Sequence, residues 1–147
     1  MGLQEVTLDL NGLTGLIAFD GTNGRGKTTI LDNLNPFRMM ASRSGSYQHH
    51  VQLRDSEKEY WFELSGSVYK TLVKIDNHSG RQEGFIWKDD IPQVNGKVSE
   101  YDIYIKNLIG SPELFFASVF CAQNGKKITD MTAGELKQLF VEFLRLD

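Results

Sequence analysis

A single cysteine in 147 residues rules out an internal disulfide. Cys121 stands in an apolar run and reads as a buried, unreactive thiol, which fits a reducing, cytoplasmic setting. No apolar run approaches the ~20 residues that span a bilayer, and the N-terminus lacks a signal-peptide pattern. No membrane partner is therefore expected. Basic residues are not in excess either: 16 Lys and Arg stand against 19 Asp and Glu, for a net charge of -3. That balance removes any global attraction to nucleic acid and leaves only a local basic patch open. Internal repeats and low-complexity segments are missing as well. What is present is a chain of one-domain size, 40% hydrophobic, enough to build one core.

The first apolar segments read as strands. In "QEVTLDL", residues 4–10, Val6, Leu8 and Leu10 alternate with Glu5, Thr7 and Asp9, the pattern of a half-buried strand. "GLIAFD", residues 15–20, is apolar until Asp20 and suits a central strand covered on both faces. Ile30, Leu31 and Leu34 then fit a helix that Pro36 should end or kink. "ASRSGSYQHH", residues 41–50, reads as a polar surface loop. His49 and His50 could bind metal, but no third ligand is placed to help them, so a solvated loop is the expectation.

From 51 to 90 the period changes to two. Tyr60, Phe62 and Leu64, then Tyr69, Thr71, Val73 and Ile75, then Glu83, Phe85 and Trp87 alternate with polar or opposing residues. Turns at Ser65-Gly66-Ser67 and at "DNHSG", 76–80, separate these runs, which predicts an antiparallel meander. The mixture of aromatics and lysines admits a nucleic-acid platform, but also a plain sheet with one solvated face. The last third, 98–147, turns helical. Val98, Tyr101, Ile105 and Leu108 repeat at helical spacing up to a stop at Gly110. Ser111-Pro112 is a helix-start pair. "ASVFCAQ", residues 117–123, reads as a buried strand ending at Gln123. Thr132 and Glu135 are spaced as a capping box before the stripe Leu136, Leu139, Phe140, Phe143 and Leu144.

The densest chemistry lies in "GLIAFDGTNGRGKTTILDNL", residues 15–34. Gly21, Gly26, Lys27 and Thr28 match G-x-x-x-x-G-K-[ST], placed between an expected strand and an expected helix, the context this motif requires. A glycine loop lets consecutive backbone N–H groups surround phosphate oxygens. The helix start from Gly26 to Thr29 adds the positive end of its dipole. Lys27 supplies a full charge between the β- and γ-phosphates, and the Thr28 hydroxyl is a hard oxygen ligand for Mg²⁺. The expected nucleotide-binding residues are Asn23, Gly24, Arg25, Gly26, Lys27, Thr28 and Thr29.

Together with "SPELFFASVFCAQNGKKITDMTAGELKQLFVEFLRLD", this segment resembles the N-terminal half of the head of an SMC-like DNA-repair ATPase. The likeness is to the SbcC-type and eukaryotic double-strand-break repair ATPases that work with a nuclease. The resemblance implies an α/β fold: the N-terminal lobe of a P-loop NTPase of ABC or SMC type, with an antiparallel β meander and a helical C-terminal third. It would be one lobe over residues 1–147, incomplete without the C-terminal lobe: strands, loop and helix in 1–40, meander in 51–90, helices and Q-loop in 98–147. It implies ATP and Mg²⁺ as cofactors. Gln123 would be the Q-loop glutamine, holding Mg²⁺ with Thr28, and Lys27 and Gln123 would be the residues closest to catalysis. It also implies a C-terminal lobe, a second ATPase head, a nuclease subunit and DNA as partners.

The sequence departs from that family in several places. A leading "KIxxLxIxNFxxY" strand, the "LSGG" signature, an apolar Walker B strand ending in Asp-Glu and a switch histidine are not found. "LSGS" at 64–67 and "FIWKDD" at 85–90 imitate two of these in the wrong order and read as chance. In the family those elements follow a long coiled coil. The chain is thus expected to bind ATP but to hydrolyse it hardly at all. The alternatives are a transporter-type ABC ATPase fragment and a nucleotide-binding interaction module that never hydrolyses ATP.

Overall fold

Three tight turns fold the middle of the chain onto itself. A computed structural model describes residues 5–40, 47–51, 53–120 and 128–144. Within it, β1 (Asp55–Leu64), β2 (Ser67–Asp76), β3 (Gln82–Lys88) and β4 (Ile91–Gly96) form one sheet in the order β1-β2-β3-β4, every pair antiparallel. Ser65 and Gly66 join β1 to β2 with φ of 52° and 78°, and Asp89 and Asp90 join β3 to β4 with φ of 48° and 65°. Two consecutive positive φ values are what a two-residue hairpin loop needs to follow the twist of its strands. Between β2 and β3, the Asp76 carboxylate accepts from the backbone N–H groups of His78 and Ser79 and from the Ser79 hydroxyl. The expected meander is present, and "LSGS" and "FIWKDD" both stand in its hairpins.

The fourth strand lies past the expected end of the meander. Pro92 and Gly96 weaken its strand character, and such residues are tolerated because β4 is an edge. Its register shifts between Ile86 and Trp87, so that Ile86 faces Val94 while Trp87 faces Pro92.

One face of the sheet makes the core. Lys58 on β1, Tyr69, Thr71, Val73 and Ile75 on β2, Gly84 and Ile86 on β3 and Val94 on β4 are buried there. Phe85 and Trp87 belong to the opposite face. The helix α2 (Val98–Ile109) covers β3 and β4 with Tyr101 and Ile105, as its spacing predicts, and stops at Gly110 with φ 88°. Ser111 caps α3 (Pro112–Ser118): its hydroxyl accepts from the Leu114 N–H at 3.1 Å. In α4 (Ala133–Leu144), Glu135 accepts from Thr132 N–H at 2.8 Å and its own N–H donates to the Thr132 hydroxyl, the expected capping box. Glu142 of α4 binds back to the α3 cap, accepting from Ser111 N–H at 2.6 Å and Ser111 Oγ at 2.7 Å.

Three expectations are corrected. Residues 5–10 are exposed and form no strand. "GLIAFD" forms no strand either: Leu16 is 100% exposed and Ile17 40%. A central parallel strand needs neighbours on both sides, and the described residues place none beside it. The described part of "ASVFCAQ" is helical up to Ser118. A short apolar run fits strand and buried helix alike, and the Ser111-Pro112 start decides for the helix. Residues 47–50 of the expected loop form a single 3₁₀ turn, with His49 exposed. Cys121 and Gln123 lie outside the described residues. Among the described residues, no helix is long and apolar enough to cross a membrane.

Gly84 is where α2 touches the sheet. A Cβ at this position would stand 2.6 Å from Tyr101 Cγ, closer than atoms pack. Gly84→Ala is therefore expected to lose about 1–3 kcal/mol by forcing α2 away. Urea unfolding measures it, and an unchanged midpoint would show that α2 is seated elsewhere. The α3 cap gives a second test. Ser111→Ala removes a cap and a partner of Glu142, and should cost about 0.5–2 kcal/mol in the same assay.

Candidate functional site

The glycine loop begins where the apolar segment ends. Gly21 has φ 153°, Gly24 79° and Gly26 87°. The last two values lie in the left-handed region, which side chains disfavour, so the loop follows a path that few other residues would take. α1 (Lys27–Asp32) starts directly after it, with Gly26 at the cap. The first ladder bond of α1 runs from Ile30 N–H to the Gly26 carbonyl at 2.9 Å. No acidic side chain stands in the first turn of α1.

Lys27 turns back over this loop. Its ammonium donates to the carbonyl oxygen of Thr22 at 3.0 Å and also to that of Gly21. The ring from Gly21 to Lys27 is thus closed by its own cation. Arg25 reaches across the same ring, Nε to Thr22 Oγ1 at 3.4 Å, while the Asp20 carboxylate accepts from Gly21 N–H at 2.7 Å. Asn23, Gly24 and Arg25 are exposed, Gly26, Lys27 and Thr29 are partly covered, and Thr28 is exposed. The structure so brings Asn23, Gly24, Arg25, Gly26, Lys27, Thr28 and Thr29 into one loop and helix start. Two cations, Lys27 and Arg25, beside a solvent-facing glycine loop are a donor set suited to the oxygens of a phosphate chain. Among the described residues no three His, Cys, Asp or Glu side chains converge.

Behind the loop, the chain leaving α1 is fastened firmly, a feature that sequence reasoning missed. Asp32, Asn35, Pro36, Phe37 and Met40 are buried. The Asn35 amide donates to the Asp32 carbonyl at 2.7 Å, and its oxygen accepts from Phe37 N–H at 3.0 Å. Tyr101 of α2 donates its hydroxyl to the Pro36 carbonyl. Lys58 of β1 donates to the Phe37 carbonyl at 2.9 Å and lies 3.4 Å from the Asn35 amide oxygen. Burial pushes the Lys58 ammonium down to about 7. Arg38 grips the Asp102 carboxylate with two bonds, Nε at 2.8 Å and Nη2 at 2.6 Å. Phe37 then packs edge-on to Phe115 of α3 at 5.2 Å between ring centres. A hint was present in the sequence: Lys58 falls in register with Tyr60 and Phe62, on the face destined for the core.

The aromatic and lysine-bearing sheet face is a different matter. Trp61, Lys70 and Trp87 stand side by side across three strands, with the Lys70 ammonium 4.8 Å from one indole and 5.5 Å from the other. Lys70 is also paired with Glu59 at 2.9 Å. The Trp61 indole N–H, and then Lys70, hold the Glu59 carboxyl below its ordinary range. Glu57, Glu63 and Glu83 share this face with Lys74. Its cations are thus matched or outnumbered by carboxylates, and a solvated outer face describes it better than a nucleic-acid platform.

No protein-family model matches this chain, and no curated protein matches it.

Proposed function

We propose that this chain is the ATP-binding half of an SMC-like ATPase, whose ATP-driven head engagement gates DNA repair or DNA processing alongside a nuclease. The observation that carries the nucleotide part is the loop from Gly21 to Lys27, with left-handed glycines at 24 and 26, closed by the Lys27 ammonium and running straight into α1. The SMC-like part rests on the resemblance of "GTNGRGKTT" and of the stretch from Ser111 to Asp147 to that family.

In this reading the backbone N–H groups from Asn23 to Thr29 surround the phosphates and Lys27 neutralises them. Thr28 and Gln123 would hold Mg²⁺, which would supply positive charge against that of the phosphates. The fold class is then that of a P-loop NTPase lobe. Exposed apolar side chains support a partner lobe. Leu16, Phe140, Phe143 and Leu144 are 100%, 53%, 62% and 55% exposed, in a chain that has a buried core elsewhere. A C-terminal lobe would supply strands beside "GLIAFD" and cover α4. A second head would complete the ATP site.

Isothermal titration of the purified chain with Mg-ATP tests the reading. Lys27→Ala should weaken binding by roughly 10- to 100-fold, the worth of a hydrogen bond to a charged group. Gln123→Ala should weaken it only when Mg²⁺ is present. No binding by the wild-type chain would end the nucleotide reading, and equal losses with and without Mg²⁺ would remove Gln123 from the metal. Co-expression with a C-terminal lobe should raise the melting temperature. A melting temperature indifferent to that lobe would sink the half-ATPase reading.

A further inference from the structure

α1 is six residues long and the loop before it is exposed, so neither can hold its own position. What fixes them is the turn that follows. Four backbone groups of that turn, the carbonyls of Asp32, Pro36 and Phe37 and the N–H of Phe37, are each satisfied by a side chain. Asn35 serves two of them from within the turn. The other two bonds come from outside it: Tyr101 on α2 and Lys58 on β1. Lys58 is the only basic group of the three, and it reaches the turn from the edge strand β1, 9% exposed.

We propose that Lys58 is the positioning residue of the phosphate loop: by holding the turn at Asn35–Phe37 against the sheet it sets where α1 and the loop ahead of it stand. The proposal rests on the nucleotide reading for the loop's purpose, but not for the docking itself. The ionisable groups on the elements that meet here are Asp32 of α1, Arg38 in the turn, Tyr60 and Tyr69 on the sheet, and Tyr101 and Asp102 of α2. Arg38 and Asp102 are paired with each other, and burial pushes the Tyr60 hydroxyl up, away from neutrality. Of these groups Lys58 is the one that burial brings down to about 7.

The sign follows from burial. Docked, Lys58 loses its proton at about 7; released to water, it keeps the proton up to its ordinary 10.5. Between those values the undocked state holds one more proton, so undocking becomes easier as pH falls from 10.5 to 7 and levels off below 7. The docking equilibrium changes by up to about tenfold per pH unit inside that window.

Amide hydrogen exchange on the full chain tests this without any nucleotide. The reporters are the amides of Ile30, Asn33, Leu34 and Phe37, each hydrogen-bonded in α1 or the turn. Corrected for intrinsic exchange, their protection should rise with pH from 7 to about 9.5, by up to about tenfold per unit. In Lys58→Met the slope should vanish. In Tyr101→Phe, which loosens the same turn by an uncharged bond, protection should drop while the slope remains. The tryptophan emission of Trp61 and Trp87, both on the sheet, reports whether each variant keeps the sheet folded. A slope that survives in Lys58→Met, or its absence from the wild type, overturns the proposal. Mg-ATP titrations form the second arm. The ratio of the Kd of Lys58→Met to that of the wild type should grow from pH 6.5 to 8.5, and a constant ratio would deny Lys58 any hold on the loop. If Mg-ATP binds no variant at all, the nucleotide reading falls, and the exchange slopes still decide the role of Lys58.

Discussion

Tyr101 can approach β3 closely because Gly84 has no side chain there. From that seat its hydroxyl reaches the Pro36 carbonyl and helps to hold the turn behind the glycine loop. The turn in turn presents Phe37 to Phe115 and Phe116, which brings α3 onto the core. Through Ser111 and Glu142, α3 then carries α4. One close contact between a helix and a strand thus orders four elements that share no backbone ladder. The dependence runs in one direction. The meander is held by its own strand pairing and hairpin turns, whereas the helices and the loop are held by side chains that the meander positions.

This hierarchy explains why the sequence is legible in some places and not in others. Elements defined by neighbouring residues read correctly: the period-two runs around Tyr69–Ile75, the helix through Tyr101 and Ile105, the stop at Gly110, the Ser111 cap and the Thr132–Glu135 box. Each depends on contacts within a few residues. "GLIAFD" and the described part of "ASVFCAQ", residues 117–120, form no strand, because a buried strand is defined by what pairs with it, and composition does not contain the partner. β4 was missed for the opposite reason: Pro92 and Gly96 argue against a strand locally, while β3 supplies the partner that makes one. The glycine loop running into α1 was legible because its motif is local. The grip behind it was not, since Lys58, Tyr101 and the Asn35 turn meet only in three dimensions.

The distribution of apolar surface has the same origin. Side chains that face α2 or the turn are covered, and those of residues 5–20 and of α4 largely are not. Val6, Leu8, Leu10, Leu13 and Leu16 are all more than a third exposed, although the first three are spaced as strand residues. Scattered exposed leucines need no explanation, but a run of them with strand spacing does. Such a run has a low intrinsic cost as coil and a large gain once paired. In the proposed reading, such segments would complete a sheet made jointly with another unit.

The loop itself combines a fixed rear and an open front. Its glycines already adopt left-handed angles, and Lys27 already lies across the ring on the Gly21 and Thr22 carbonyls. If a phosphate chain is the ligand, as proposed, much of the ordering it requires would be present before it arrives, which would lower the entropic cost of binding. The Lys27 ammonium would then move from neutral carbonyl oxygens to anionic ones, adding a charge on the acceptor to a bond whose donor is already charged. In that reading the same ammonium would serve two ends, closing the ring by itself and gripping the ligand when one enters. A loop built this way can face water with little covering structure, provided that the turn behind it does not move.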